Sequence, residues 1–188
     1  MPPVAIYAAH ALFWSPAALR IIAGKRGDTA GPSTDRVHSA RGARAALWAH
    51  CVGFFLLYFG IGRAAFGGGS SFLPGAGLAI IALGTALFAL TLWVFRSWRL
   101  LTKLDEGHQL YTAGPFRLVR HPIYTALDLL ALGSALWIPL PEVIAGAALI
   151  ALVSDVRARL EEGLLLEAFG AEYAAYKART RRFLPWVY

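Results

Sequence analysis

The sequence predicts an all-α integral membrane protein with about five transmembrane helices, a tight hairpin of the last two and a cytosolic C-terminal helix. Three observations carry that expectation. Sixteen of the eighteen basic residues fall in residues 25–44, 96–120 and 157–182, with nearly uncharged stretches between them. Basic loops retained on the cytoplasmic side of a bilayer leave this pattern. Apolar residues make up 57% of the chain and charged ones 15%, a balance beyond that of soluble domains of this length. Several apolar stretches approach the ~20 residues needed to cross a hydrocarbon core of ~30 Å. A chain of 188 residues fits one domain, divided into N-terminal spans (1–95) and a region carrying polar motifs (96–188). The net charge of +7 reads as positive-inside loops and not as a nucleic-acid surface, because the charge segregates with hydropathy.

Taken in order, residues 4–23 form a first candidate span that Pro16 is expected to kink. Residues 45–62 form a second, with Arg63 snorkelling at its end, and the uncharged residues 75–95 a third. Residues 123–140 form a fourth that carries one acid, Asp128. A fifth starts near Val143; its apolar part stops at Ser154, so residues 155–160 must continue it into the headgroups. The single Cys51 offers neither a disulfide nor zinc-ligand spacing, and no metal cluster is expected. The first residues lack a basic n-region and cleavage site, so the mature chain is read from Met1.

Loops 24–44 and 96–122 carry five basic residues each and the tail from Arg157 carries six, while loop 63–74 has only Arg63. Five spans then put the N-terminus outside and the C-terminus in the cytoplasm. Pro139 and Pro141 leave almost no loop between the last two spans, so these pack antiparallel. That returns residues 155–162 to the depth of residues 120–128 and brings two polar stretches face to face.

The first stretch is GPFRLVRHPIY (114–124). Pro122 disfavours helical backbone at His121, yet proline suits a first helical turn. Arg120 and His121 are thereby held as donors at a helix N-terminus, where the dipole favours an anion. The competing reading is a juxtamembrane basic cluster on lipid phosphates. In the second stretch Arg157 and Glu161 lie one helical turn apart, with Glu162 beside them. As an exposed ion pair they would contribute only ~0.3–0.5 kcal/mol. Charges just leaving the bilayer are costly, however, unless they pair or bind something. Asp128 pairs with an arginine or lines a cavity.

The strings HQLYTAGPFRLVRHPIYTAL (108–127) and RARLEEGLLLEAFGAEYAAY (157–176), followed by TRRFLP (180–185), resemble the isoprenylcysteine carboxyl methyltransferase family. Related membrane methyltransferases, phospholipid N-methyltransferases among them, share the pattern. The resemblance covers residues 96–185; the N-terminal half is similar only in having hydrophobic spans. It implies a cytosol-facing pocket for S-adenosyl-L-methionine, closed by the loop before the RHP string and by the C-terminal segment. His108, Gln109, Leu110, Tyr111, Phe116, Arg120, His121 and Glu161 are the implied cofactor contacts. Arg157 matches an arginine of substrate handling and catalysis, and Tyr124 and Glu162 complete the catalytic motifs. Two departures stand out: Ala126 replaces a frequent glycine, and Leu101 occupies a polar cofactor-contacting position.

The expected partners are the membrane and a lipid or other apolar methyl acceptor, a prenylcysteine-like carboxylate or a lipid amine. The small residues Ala126, Gly133, Ser134, Gly146 and Ala147 either leave a lateral opening for it or simply pack helices. No glycine-rich phosphate loop follows a strand, which counts against a soluble-type nucleotide fold. Two alternatives are a membrane sterol-reductase-like enzyme, which shares part of the RHP string but lacks the paired glutamates, and a non-enzymatic transport or assembly protein.

Overall fold

Alternating helix directions organise the chain in the computed structural model, which describes residues 4–24, 38–39, 42–67, 71–95, 103–104, 110–185 and 187. The elements are α1 (Val4–Gly24), β1 (His38–Ser39), α2 (Ala43–Gly67), α3 (Pro74–Val94), β2 (Lys103–Leu104), a 3-10 turn (Gly114–Arg117), α4 (Pro122–Trp137) and α5 (Pro141–Arg179). The two-residue strands pair antiparallel, His38 opposite Leu104, and tie the two charged loops together. Contact registers fix the helix directions. Gly53 lies against Ile150 and Gly60 against Val143, so α2 and α5 are antiparallel; Gly77 meets Gly133 and Gly84 meets Ala126, so α3 and α4 are as well. Phe13 stacks on Phe88 at 4.8 Å, and Arg20 donates to the carbonyls of Leu92 and Phe95, so α1 and α3 run parallel. The ends of α1 and α3 and the starts of α2 and α4 therefore lie together.

Helices α1, α2 and α3 are long and apolar enough to cross a membrane. α4 is shorter, at 16 residues, and α5 joins an apolar first part to a charged second part. Pro16 lies inside α1 without ending it. A proline lacks the N–H that would bond the carbonyl four residues back, here that of Leu12. The Ser15 hydroxyl donates to that carbonyl at 2.8 Å, so the freed acceptor is satisfied within the helix. His10 fixes α1 laterally: its Nδ1 is 3.0 Å from the Tyr58 hydroxyl and its Nε2 2.9 Å from Ser134 Oγ, and Trp14 Nε1 donates to Tyr58. Three helices are joined through one satisfied polar cluster in an otherwise apolar layer.

At the opposite end Arg63 forms an ion pair with Glu142 at 2.9 Å instead of standing alone in the headgroups. The N–H groups of Phe72 and Leu73 donate to the carbonyls of Trp137 and Leu136, knitting the start of α3 to the end of α4. The small residues considered for a lateral opening are packing contacts. A Cβ on Gly133 would lie 2.6 Å from the Gly77 carbonyl, and one on Gly146 would lie 2.7 Å from the Gly53 carbonyl and from Leu57 N. Ser134 is engaged by His10, and Ala126 is fully buried. Backbones approach this closely only where both sides lack bulk, so these positions seal the helix pairs.

Residues 138–140 connect α4 to α5, and the helices then diverge in character. Past Ser154, α5 carries Asp155, Arg157, Arg159, Glu161 and Glu162. At Gly170 the backbone takes φ 50° and ψ −120°, breaking α5 into two helical pieces. The second piece turns so that Tyr173 and Tyr176 are buried. Residues 180–185 then return alongside the start of α4, with Val119 and Arg181 forming a parallel bridge.

Candidate active site

The site grows from the irregular backbone ahead of α4. Gly114, at φ 58°, opens the 3-10 turn and lets Phe116 and Arg117 reverse the chain. His121 then caps α4 with non-helical backbone, at φ −124° and ψ 60°, and Pro122 takes the first helical turn. The donors this leaves are not wasted. Arg120 N–H donates to the Arg181 carbonyl at 2.7 Å, and His121 N–H to the Arg182 carbonyl at 3.1 Å. Thr125 Oγ1 donates to the carbonyls of His121 and Phe183. The C-terminal segment is thus a built-in wall of the site.

Two carboxylates of α5 face this corner, and their surroundings differ. Glu162 is 4% exposed and is surrounded by cations: Arg120 Nε at 3.1 Å, Arg182 Nε at 3.0 Å and Lys177 Nζ at 2.8 Å. Arg182 also bonds Asp155 at 2.8 Å, and Arg120 donates to the carbonyls of Lys177 and Thr180. Glu161 is 29% exposed, accepts a hydrogen bond from the Tyr124 hydroxyl, and places Oε2 3.4 Å from His121 Nδ1. His121 bridges both acids, its Nε2 lying 3.4 Å from Glu162 Oε1.

Burial alone would push the His121 pKa down, but its contacts with Glu161 and Glu162 outweigh that and raise it. Burial would raise the Glu161 carboxyl; His121, Tyr124 and Arg157 instead hold it below the usual range. For Glu162, burial is overcome by His121, Arg182, Lys177 and Arg120, and the carboxyl is driven far down. Tyr176 is pushed up to about 12, chiefly by burial, and its hydroxyl donates to the Phe116 carbonyl at 2.7 Å.

Arg157, 6% exposed, lies over the Tyr124 ring with its guanidinium carbon 5.2 Å from the centroid. Phe95, Tyr111 and Phe116 form an edge-to-face triangle with centroids 5.4 to 6.0 Å apart, an aromatic cluster that includes Phe116 of the 3-10 turn. Leu110 is half-buried next to Tyr111. His108 and Gln109 lie outside the described residues. The remaining expected residues, Arg120, His121, Tyr124, Arg157, Glu161 and Glu162, form one connected cluster. Asp128 accepts from Ser154 at 2.8 Å between α4 and α5, so among the described residues its pairing is with a hydroxyl and not with an arginine.

Sequence reasoning missed four contributors. Lys177 counted only as cytoplasmic charge, Arg182 only as part of the TRRFLP string with no role of its own, Phe95 as the end of a span, and His50 as one polar residue in an apolar run. His50, on α2, is 3% exposed and places Nδ1 3.5 Å from Arg157 Nη1. Only the mismatch of a histidine inside an uncharged span gave any signal.

Arg120, Lys177 and Arg182 pair with Glu162, Arg182 also with Asp155, and Arg157 lies over Tyr124. Comparison with known proteins places the chain in a family. A model of the phospholipid methyltransferase family matches residues 74–172. Protein-S-isoprenylcysteine O-methyltransferase of Saccharomyces cerevisiae is 36% identical over 88 residues, 46% of this chain and 36% of that protein. Protein-S-isoprenylcysteine O-methyltransferase B of Arabidopsis thaliana is 30% identical over 115 residues, 59% of this chain and 58% of that protein. The chain therefore covers about a third to three fifths of the length of these relatives. The matched stretch contains α3, α4 and most of α5, with every described polar member of the expected site, and spans just over half the sequence: the chain belongs to the phospholipid methyltransferase family.

Proposed function

We propose that this protein binds S-adenosyl-L-methionine and transfers its methyl group to a lipophilic acceptor carrying a carboxylate, of the prenylcysteine type. The observation that carries the reading is the juxtaposition of Glu161, His121, Tyr124 and Arg157 in one cluster. The residues fit such a donor. Phe95, Tyr111 and Phe116 suit an adenine ring, Glu161 suits an ammonium or ribose hydroxyls, and His121 suits a carboxylate.

When bound, the donor supplies an electrophilic methyl group on a sulfonium. The carboxylate oxygen forms the new C–O bond as the C–S bond breaks, and that electron pair leaves with sulfur; no proton moves. A cation and an anion become two neutral products, so a site screened from water assists, and alignment of the reacting atoms supplies further acceleration. Arg157 orients the acceptor carboxylate, Tyr124 positions Arg157 and Glu161, and Glu161 and His121 hold the donor. Arg120 and Glu162 act as positioning groups that fasten the C-terminal wall, with Tyr176 holding the Phe116 backbone. His108 and Gln109 complete the donor site in this reading.

The topology proposed for the enzyme has five spans, with the first part of α5 as the fifth and the site at the cytoplasmic face. The N-terminus lies outside and the C-terminus inside. This rests on the basic residues of loops 24–44 and 96–122 and of the tail.

The test is transfer of labelled methyl from S-adenosyl-L-methionine by the detergent-solubilised protein. An S-prenylated cysteine with a free carboxylate should acquire base-labile label, as a methyl ester. Label found in phosphatidylethanolamine but not in the prenylcysteine would reassign the acceptor to a lipid amine, which the family's phospholipid branch favours. Folded protein that binds neither donor nor demethylated donor would overturn the reading.

A further inference from the structure

His50 stands outside the stretch matched by the family model, yet its side chain reaches the core of the site. It projects from the second turn of α2, which packs antiparallel along α5 through the Gly53–Gly146 contact. That approach places the imidazole beside Arg157 and Tyr124: Nδ1 is 3.5 Å from Arg157 Nη1, and the ring centroid is 6.3 Å from that of Tyr124. Phe54 stacks on it at 5.6 Å and fixes its plane.

The partner on Nδ1 determines the tautomer. A guanidinium only donates, so Nδ1 must accept and the ring proton must reside on Nε2. That Nε2–H is buried and has no hydrogen-bond partner among the described residues. A buried donor without an acceptor is unfavourable, and such groups concentrate where a ligand completes the bonding. The orphaned donor sits one imidazole's width from a buried guanidinium, and both are held against one aromatic ring.

We propose that His50 is part of the methyl-acceptor site: Nδ1 orients Arg157, and Nε2–H donates to an oxygen of the acceptor headgroup. This rests on the carboxylate-methylating reading above and deepens it. Two donors of this kind prefer an oxygen-bearing anion and reject an ammonium, so the N-terminal half of the chain supplies specificity for the acceptor while the matched stretch supplies the donor site.

The experiment compares His50→Gln with His50→Phe in the full chain, solubilised in detergent. The probe is an S-prenylated cysteine free acid, with its carboxamide as competitor. Glutamine offers an acceptor and a donor at similar reach, phenylalanine neither, and both fill the space. His50→Phe should raise the KM for the acid, or lower kcat/KM, by about 10- to 100-fold, the value of a hydrogen bond to a charged group. The Kd for S-adenosylhomocysteine should stay within about twofold, and the preference for acid over carboxamide should shrink. His50→Gln should restore most of both. Equal kinetics in wild type and both variants overturn the role of His50. So does a parallel loss of donor affinity and acceptor kinetics in both, which marks packing alone. A wild-type protein that binds donor but never methylates the acid defeats the acceptor reading itself, a separate failure visible before any variant is made.

Discussion

Arg182 grips Glu162 with two hydrogen bonds, Nε to Oε1 at 3.0 Å and Nη2 to Oε2 at 3.2 Å, although twenty residues separate them. The pair joins the middle of α5 to the C-terminal segment that walls the site. Its burial makes it consequential: Arg182 is 13% and Glu162 4% exposed in their side chains.

Arg182→Ala should therefore loosen residues 180–185 without abolishing the fold, since Arg120 and Lys177 still neutralise Glu162. We expect a loss of about 1–3 kcal/mol, read as a lower unfolding temperature, together with faster proteolysis after Gly170. Glu162→Gln should cost more, because three cations then face an uncharged amide. Unchanged unfolding and proteolysis in both variants would show that the clamp is not structural.

Glu161 and Arg157 should separate donor binding from turnover. Glu161→Gln removes the charged acceptor from the donor site and should weaken S-adenosylhomocysteine binding by about 1.5–3 kcal/mol. Arg157→Ala should lower turnover while calorimetry finds donor affinity nearly kept. Equal loss of both properties in both variants would dissolve the assignment.

The three long apolar helices and the clustering of the motif residues were legible in sequence because hydropathy and fixed motif spacing are local signals. Residues 45–62 fall inside α2, which runs five residues further, and residues 75–95 match α3 to within one residue at each end. What was not legible depends on relations between elements. Pro16 argued for a kink, and only Ser15, bonded back to Leu12, shows how the carbonyl it frees is satisfied within α1. Arg63 looked unaccompanied because Glu142 lies 79 residues away in sequence. His50, Lys177 and Arg182 join the cluster only once α2, α5 and the tail meet. Gly133 and Gly146 looked equally suited to an opening and to a seam, and close contact with Gly77 and Gly53 decides for the seam.

The histidine–carboxylate cluster should give the protein a pH optimum of stability. His121 is raised from its usual 6.5, so its contribution is complete below that pH and fades as pH rises through the elevated folded value. Glu161 and Glu162 are lowered from 4.5, so theirs is complete above that pH and fades as pH falls through the depressed values. Both are fully present between 4.5 and 6.5. The unfolding temperature of wild type minus that of His121→Gln should peak in this window and shrink on the alkaline side. A pH-independent difference would argue against a charged His121.

Membrane orientation is open to direct labelling. With the exposed Cys51 replaced, single cysteines at Ser71 and Arg181 should react with an impermeant maleimide from opposite sides. Ser71→Cys should label in intact cells and Arg181→Cys only after permeabilisation. Labelling of both from one side would overturn the five-span arrangement.

Two glycines of α5 should respond oppositely to one substitution. At both Gly163 and Gly170 an added Cβ meets nothing within 4 Å, so space does not distinguish them. Backbone conformation does. Gly163 is helical and exposed, and alanine there should stabilise by about 0.5–1 kcal/mol through reduced freedom of the unfolded chain. Gly170, at φ 50° and ψ −120°, occupies backbone space that an L-residue enters only with strain, at a cost of about 1–3 kcal/mol. That strain can be relieved by straightening α5. Straightening would carry Tyr176 away from the Phe116 carbonyl and Lys177 away from Glu162. Gly170→Ala should therefore lower both the unfolding temperature and donor affinity, whereas Gly163→Ala raises the first and leaves the second unchanged. If the two variants behave alike, the break at Gly170 is not what positions the C-terminal wall.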